Sequence, residues 1–202
     1  MKRPNRGAPR RVPGQRLPRR VIRVLSEGAV TEPAYLVQWA RRSRNTHIDF
    51  AESGMAPLSL VQRAREHQRT NQKRGSTRRG DFDEIWCIFD VDEHPNLQQA
   101  IAEARQSEIY VALSNPCFEL WLILHQQDQT ASLDRHKAQR LSTSLGLTDS
   151  KRLQPGAIDV LLAGYPDAKA RAEALRTRHI ANGSGPDANP SSNVWELIDK
   201  LS

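Results

Sequence analysis

Residues 85–92 have the sequence IWCIFDVD, five apolar residues followed by an Asp-x-Asp pair. A short, continuously apolar run rich in aromatic and β-branched residues is typical of a strand buried on both faces. Such strands occur mainly in parallel sheets that have helices on both sides. This stretch therefore predicts a central strand of a parallel α/β sheet, with two carboxylates at its carboxyl end.

The segments around this strand alternate between strand and helix patterns. Further strands are predicted at residues 20–25 (RVIRVL), 47–50 and 109–113. Two helices are predicted to begin near Thr31 and near Leu97. A third is predicted at residues 58–72, with Leu60, Val61 and Ala64 inward, and a fourth at residues 117–125, with Pro116 in its first turn. The rest of the chain has helical patterns, interrupted by a loop at residues 182–192. The predicted fold class is α/β, a mostly parallel sheet flanked by helices, with a helical C-terminal part.

Length and composition fit one domain behind a basic tail. The chain has 202 residues, of which 38% are hydrophobic and 26% charged, as in globular proteins. We expect residues 1–19, which contain four prolines, to form a flexible tail. It is either a solvated tail or a phosphate-binding arm. Residues 20–202 are predicted to form the domain, with an α/β core at 20–128 and a mainly helical extension at 129–202.

Several classes of protein are disfavoured. No apolar run reaches the roughly 18 residues of a membrane span, and the N-terminus lacks the apolar region of a secretory signal. Cys87 and Cys117 show no metal-binding spacing, so we expect a cytoplasmic protein without zinc or disulfides. Glycine-rich nucleotide-binding motifs are absent from the sequence.

The net charge of +7 is unevenly distributed. The first 20 residues hold eight Lys or Arg and no acid, and the rest of the chain holds 22 basic and 23 acidic residues. Residues 41–80 contain ten basic and three acidic residues, whereas residues 81–128 contain one basic and ten acidic residues. The basic segment is either a solvated surface or a nucleic-acid interface. The candidates for that interface are Arg63, Arg65, Arg69, Lys73, Arg74, Arg78 and Arg79.

Acidic residues follow the predicted strands. Glu27, Asp90 and Asp92 lie where two of them end, and the carboxyl ends of parallel strands meet at one edge of a sheet. Converging carboxylates repel unless some are protonated or a cation lies among them. Mg²⁺ or Mn²⁺ suits such oxygen ligands. The alternative is that these acids only cap the following helices.

Two other acids and two histidines are weaker candidates. Glu119 lies in an apolar helix, where a charge is costly unless it is paired, although the helix dipole also favours an acid there. Glu32 fits a structural role in the first turn of its helix. We expect His94 to be a solvated loop residue and His125 to be a cation at the end of its helix.

Four sequence blocks resemble the RloB family. They are SEGAVTEPAY at residues 26–35, FDVD at 89–92, SNPCFELWLILH at 114–125 and NPSSNVWEL at 189–197. Together they span the chain from about residue 21 onward. Family members are similar to Toprim domains, the metal-binding fold of topoisomerases, primases and related nucleases. Ser26 stands where cysteine is frequent in the family, and the N-terminal tail has no counterpart that we can place.

The resemblance implies a function in defence against phage, together with an ATPase partner protein. The Toprim pattern assigns Glu27, Asp90 and Asp92 as ligands of Mg²⁺ or Mn²⁺ in a nuclease that cleaves DNA or RNA. Metal-bound water, or Glu119 or Glu32 as general base, would then provide the nucleophile. The alternative function is a non-catalytic regulatory or nucleic-acid-binding subunit. Association into a homo-oligomer stays open.

Overall fold

A computed structural model describes residues 19–74, 81–91, 94–150 and 152–201, the side chains of residues 73 and 74 excepted. Its α/β architecture confirms the predicted fold class: a mostly parallel five-stranded sheet with helices on both faces. The strands are β1 (Arg20–Ser26), β2 (Thr46–Ser53), β3 (Glu84–Asp90), β4 (Tyr110–Asn115), β5 (Thr148–Asp149), β6 (Arg152–Leu153) and β7 (Ser191–Ser192). The helices seen in these residues are α1 (Thr31–Arg42), α2 (Pro57–Arg74), α3 (Leu97–Gln106), α4 (Phe118–Leu124), α5 (Arg135–Ser144), α6 (Ala157–Ala163), α7 (Tyr165–Ala181) and α8 (Val194–Asp199).

The main sheet has the strand order β2-β1-β3-β4-β7. Its first four strands are parallel, and β7 is antiparallel to β4. The two remaining strands, β5 and β6, form a separate small hairpin. The side chain of Asn193 secures β7 beside β4, because it accepts a hydrogen bond from the backbone N–H of Leu113 and donates one to the carbonyl of Val111. β7 lies inside the predicted loop at residues 182–192, and its two serines carry no strand pattern.

The central strand β3 is buried on both faces, as the sequence predicts. Trp86 and Ile88 pack into the core beneath α1, α4, α7 and α8. Cys87 and Phe89 point to the opposite core, beneath α2 and α3. This alternation follows from the two-residue period of a strand.

Several predicted boundaries differ from the structure, including that of β2, which was predicted at residues 47–50 and spans Thr46–Ser53. Two of the differences have a clear cause. β4 continues through Asn115, and α4 begins only at Phe118, so Pro116 precedes the helix and is not in its first turn. Proline disfavours the helical conformation in the residue before it, which keeps Asn115 extended. The helix α2 extends to Arg74 because no glycine or proline interrupts it before Gly75.

The connections create a crevice at the carboxyl ends of β1 and β3. α1 connects β1 to β2 over one face of the sheet, whereas α2 and α3 lie on the other face. Neighbouring strands whose connections leave in opposite directions form a topological switch point, where α/β proteins commonly bind ligands.

The C-terminal helices pack closely on the sheet. Trp121 of α4, Leu175 of α7 and Leu197 of α8 are buried in the same core cluster as Trp86. Gly164, between α6 and α7, allows this packing because a Cβ atom there would lie 2.6 Å from the carbonyl oxygen of His125. Within the described ranges, no helix combines the length and apolarity needed to span a membrane.

Candidate active site

A cavity of about 450 Å³ occupies the switch point. We call this cavity the acidic crevice, because four acidic residues line it. These residues are Glu27, Glu32, Asp90 and Glu119. All four were candidates from the sequence. The fifth candidate, Asp92, lies outside the described residues.

Glu27 is the first residue after β1 and is held by the neighbouring strand. Its backbone N–H donates to the carbonyl of Ile88 at 2.8 Å. Its carboxylate accepts a hydrogen bond from the backbone N–H of Asp90 at 3.2 Å and contacts His94 Nε2 at 3.0 Å. The contact with an ionised carboxylate requires a proton on Nε2, because a carboxylate can only accept.

Asp90 is the last residue of β3 and is only 6% exposed. Burial raises the pKa of its carboxyl group well above the ordinary value, and the negative charges of Glu32, Glu27 and Glu119 raise it further. Arg135, whose Nη2 donates to Asp90 Oδ2 at 3.3 Å, opposes this rise. Asp90 is therefore a buried acid whose ionised form needs a nearby cation.

Glu32 lies in the first turn of α1 but points into the protein and is only 5% exposed. Its carboxylate packs against Gly28, where a Cβ atom would come within 2.0 Å of both carboxylate oxygens. Burial raises the pKa of Glu32, whereas the backbone N–H groups of Gly28 and of Glu32 itself oppose the rise. The structural role predicted for a first-turn acid therefore does not explain this burial.

Glu119 lies in the first turn of α4 and is 6% exposed. Its charge contributes to the raised pKa values of Asp90 and Glu32, which places it in the same electrostatic cluster. Burial also raises the pKa of the neighbouring Cys117 thiol, and the charges of Glu119 and Asp90 add to the effect. A thiol that stays protonated is a poor nucleophile, as expected for an inert core cysteine.

Two basic residues also line the crevice. The sequence made one of them, His94, only a weak candidate, and the other, Arg135, was not predicted. His94 was predicted to be solvated, but it is half-buried, and its Nε2 contacts the Glu27 carboxylate at the end of β1. Arg135, the first residue of α5, comes from the predicted helical extension. No feature of the sequence around Arg135 identifies it as a site residue. The repulsion among the acids predicts only that a cation of some kind lies nearby.

His125 was also expected to carry a positive charge, and this prediction was wrong. Burial lowers its pKa to about 4, so the imidazole is neutral at pH 7. Nδ1 donates to the carbonyl of Trp121 at 2.8 Å, which leaves Nε2 to accept from the Tyr35 hydroxyl at 3.0 Å. His125 is a core residue outside the acidic crevice.

The donor chemistry of the crevice suits a hard divalent cation, because its acids supply oxygen ligands. Among residues 19–74, 81–91, 94–150 and 152–201, no group of three or more His, Cys, Asp or Glu is already arranged to hold a metal ion. The predicted ligand set includes Asp92, which lies outside these ranges. The described part of the set, Glu27 and Asp90, is linked by the hydrogen bond from the Asp90 backbone.

Three of the basic residues predicted to bind nucleic acid have side chains that the structure describes, and these three do not line the crevice. Arg63 of α2 forms ion pairs with Glu52 and Glu66, both at 2.6 Å. Arg65 pairs with Glu103 of α3 at 3.0 Å. Arg69 is exposed on α2. The side chains of Lys73 and Arg74, and the whole of Arg78 and Arg79, lie outside the described part of the chain.

The direction of α2 explains this distribution. Its N-terminal end follows Met55 and Ala56, which line the acidic crevice. Near its C-terminal end, Asn71 forms two hydrogen bonds with the backbone of Phe82, just before β3 begins. The helix therefore runs away from the crevice, towards the opposite edge of the sheet.

Three of the sequence blocks meet around the end of β4. Ser114 and Ser192 face each other across the β4–β7 pair, with their hydroxyl oxygens 3.0 Å apart. The block containing Glu119 follows β4 directly, and the Asp90 block pairs with β4 from the other side. These blocks, distant in sequence, thus form one structural unit at the crevice.

Comparison with known proteins identifies the family of the chain. No curated protein matches the chain. The family model described as RloB-like protein matches residues 22–201, nearly the whole domain. The chain therefore belongs to the family of RloB-like proteins.

Proposed function

We propose that this protein is a metal-dependent nuclease that hydrolyses phosphodiester bonds in DNA or RNA, with a Toprim-like core. The observation that carries the proposal is the convergence of Glu27, Glu32, Asp90 and Glu119 in one cavity at the switch point. A purely structural role leaves the burial of several mutually repelling acids unexplained, because each raises the cost of ionising the others.

Glu27 and Asp90, together with Asp92, are the residues that would hold Mg²⁺ or Mn²⁺. The bound cation supplies charge stabilisation for the phosphate and the leaving oxygen, and lowers the pKa of water. The chain positions the two described ligands through the backbone: the β1–β3 pairing fixes Glu27 relative to Ile88, and the Asp90 N–H fixes the Glu27 carboxylate. Such rigid support suits a catalytic site.

The remaining crevice residues suit binding and proton transfer. Arg135 is about one-third exposed, so its guanidinium can contact a phosphate while it remains near Asp90. Glu32 has a raised pKa, which makes its carboxylate a better proton acceptor than an ordinary one. Glu119 is the other candidate base, and His94 orients the Glu27 carboxylate.

The test is cleavage by the full chain of labelled DNA and RNA with Mn²⁺, Mg²⁺ or EDTA. We expect metal-stimulated cleavage, and a loss of about 100-fold or more in Asp90→Asn, which keeps the side-chain volume but removes the charge. The matched control is Asp159→Asn, on the exposed surface of α6. Cleavage by Asp90→Asn at the wild-type rate would contradict the proposal.

Calorimetric titration with Mn²⁺ separates the nuclease from a non-catalytic subunit. The nuclease should bind Mn²⁺ in the wild type and in Asp159→Asn, but not in Asp90→Asn. A binding subunit would instead bind nucleic acid with a steep salt dependence and show no turnover with any metal. The family resemblance adds an ATPase partner and a role in defence against phage to this proposal, and cleavage assays with and without such a partner would test that association.

A further inference from the structure

The acidic crevice continues into a second cavity. This neighbouring cavity has a volume of about 580 Å³ and shares Glu119 and Gln139 with the crevice. We call it the α5 groove; its other lining residues are Arg140, Thr143, Ser144, Thr148 and Ser150. The two cavities are therefore adjacent, and together they mark a path from the carboxylates along α5 to the β5–β6 hairpin.

The residues of α5 line this path at helical spacing. Arg135 lines the crevice, Gln139 lines both cavities and Thr143 lines the groove, and each follows the previous one by four residues. Side chains four residues apart lie on the same helix face. At 1.5 Å per residue the stripe from Arg135 to Thr143 is about 12 Å long. A nucleic-acid strand with one phosphate per roughly 3.4 Å of duplex axis would place about three phosphates along it.

The chemistry of the groove suits a phosphate backbone. Arg140 is exposed, and among the described residues no carboxylate lies within ion-pairing distance of it, although its charge contributes to the lowered pKa of Asp134. Thr143 and Ser144 add exposed hydroxyl groups, which commonly bind phosphate and sugar oxygens. Asp134 is the N-cap residue of α5, and its carboxylate accepts a hydrogen bond from the backbone N–H of Lys137. It also forms an ion pair with the Lys137 ammonium group, so its charge is partly neutralised.

We propose that the α5 groove binds the nucleic-acid strand beside the scissile phosphate, with Arg140 contacting its phosphates and the hydroxyl groups of the groove contacting its backbone. This inference rests on the proposed nuclease function, because that function places the scissile phosphate in the acidic crevice, at one end of the path. It moves the phosphate-binding surface from α2, where Arg63 and Arg65 are paired with acids, to α5.

Binding without metal tests the groove separately from catalysis. The probes are fluorescein-labelled single-stranded DNA and RNA of one sequence, titrated with the full chain in EDTA over a range of salt concentrations. Arg140→Gln should raise Kd about 5-fold to 10-fold and reduce the salt slope by about one. Arg105→Gln, exposed on α3 at the other face of the sheet, is the matched control and should change Kd less than about 2-fold.

A gain-of-binding variant protects the test against misfolding. Thr143→Lys adds a cation to the stripe at an exposed helical position and should lower Kd about 3-fold, whereas Thr177→Lys, exposed on α7, should lower it less. In the cleavage assay, Arg140→Gln should raise KM more than it lowers kcat, because Arg140 lines the α5 groove and not the acidic crevice.

The outcomes distinguish this inference from the proposed function. Loss of affinity in Arg140→Gln without any metal-stimulated cleavage by the wild type would support the groove and contradict the nuclease. Cleavage by the wild type, with unchanged Kd and KM in Arg140→Gln, would overturn the groove alone. No binding of either oligonucleotide by the wild type would overturn it as well. A preference for RNA or DNA that disappears in Arg140→Gln would assign the selectivity to the groove.

Discussion

The two faces of the sheet differ in the surroundings of their charged groups. On the α2–α3 face the hydrophobic core cluster includes Cys87, and two of the arginines above it are paired with acids, whereas Arg69 and Arg105 are exposed. Arg63 of α2 pairs with Glu52 of β2 and with Glu66 of α2. Arg65 pairs with Glu103, so ion pairs connect α2 to both β2 and α3. Ion pairs of this kind leave little positive potential for a ligand.

The α1–α4–α5 face has polar groups both inside and outside its core. Tyr35 and His125 form a hydrogen-bonded pair in the core. At the edge of this face, Arg135 points to Asp90 and Arg140 lines the α5 groove. The comparison indicates that the count of basic residues in a segment does not locate a phosphate site. What matters is whether each cation already has an acidic partner.

The largest expected effect concerns the buried histidine on the α1–α4–α5 face. The pKa of His125 is about 4 in the folded protein, against an ordinary value of 6.5. The unfolded chain therefore binds a proton between these values while the folded chain does not, so stability is lost as the pH falls from about 6.5 to 4. At 1.36 kcal/mol per pKa unit, the loss is about 3 kcal/mol.

The measurement is the free energy of unfolding from urea titrations at pH 7 and near pH 4, for the wild type and for His125→Gln. Other carboxyl groups titrate in both proteins, so the difference between them reports His125. We expect the wild type to be more stable at pH 7, because His125 accepts from Tyr35, and the gap to shrink by about 3 kcal/mol at the lower pH. A gap that is independent of pH would show that His125 is not held neutral.

The next largest effect is on kcat, and it concerns Arg135 of the acidic crevice. Arg135→Gln removes the charge beside Asp90, which we expect to lower kcat about 30-fold, or about 2 kcal/mol, because both the buried carboxylate and the bound phosphate lose a positive neighbour. Single-turnover cleavage with saturating Mn²⁺ measures it, and Arg105→Gln is the control. If kcat were unchanged and only KM rose, Arg135 would be a binding residue like Arg140.

Sequence reasoning identified the fold and the acids because both depend on local patterns. The apolar run before Asp90 marks a buried strand, and the parallel arrangement then brings Glu27 next to it without further information. Arg135 could not be predicted in the same way, because its partner lies 45 residues earlier and only tertiary packing brings them together. The two-residue strand β7 was missed for the same reason, since side-chain bonds from Asn193 hold it.

The basic segment shows the other limit of sequence reasoning. Arg65 belongs to a positive stretch of the sequence, but Glu103, which pairs with it, comes from α3, outside that stretch. A charge count along the chain cannot include partners that only the fold supplies. Glu32 illustrates a related limit, because its first-turn position in the sequence also fits a structural role, and only the fold shows that it is buried in the crevice.

The smallest effect tests the α2 face directly by releasing its arginine. Glu52→Gln removes the carboxylate that accepts from Arg63 Nε and contacts His67. Arg63 then keeps only Glu66 as a partner, so we expect Kd for single-stranded DNA or RNA to fall about 2-fold to 3-fold and the salt slope to steepen.

Arg63→Gln gives the complementary measurement, because an arginine that two carboxylates already neutralise contributes little to binding. Its Kd should change less than that of Arg140→Gln, and the Glu52→Gln gain should disappear in the double variant Glu52→Gln/Arg63→Gln. If Arg63→Gln instead weakened binding more than Arg140→Gln, the ion pairs would be open in solution and α2 would be the phosphate-binding face. The order of these two variants therefore decides which face of the sheet the nucleic acid follows.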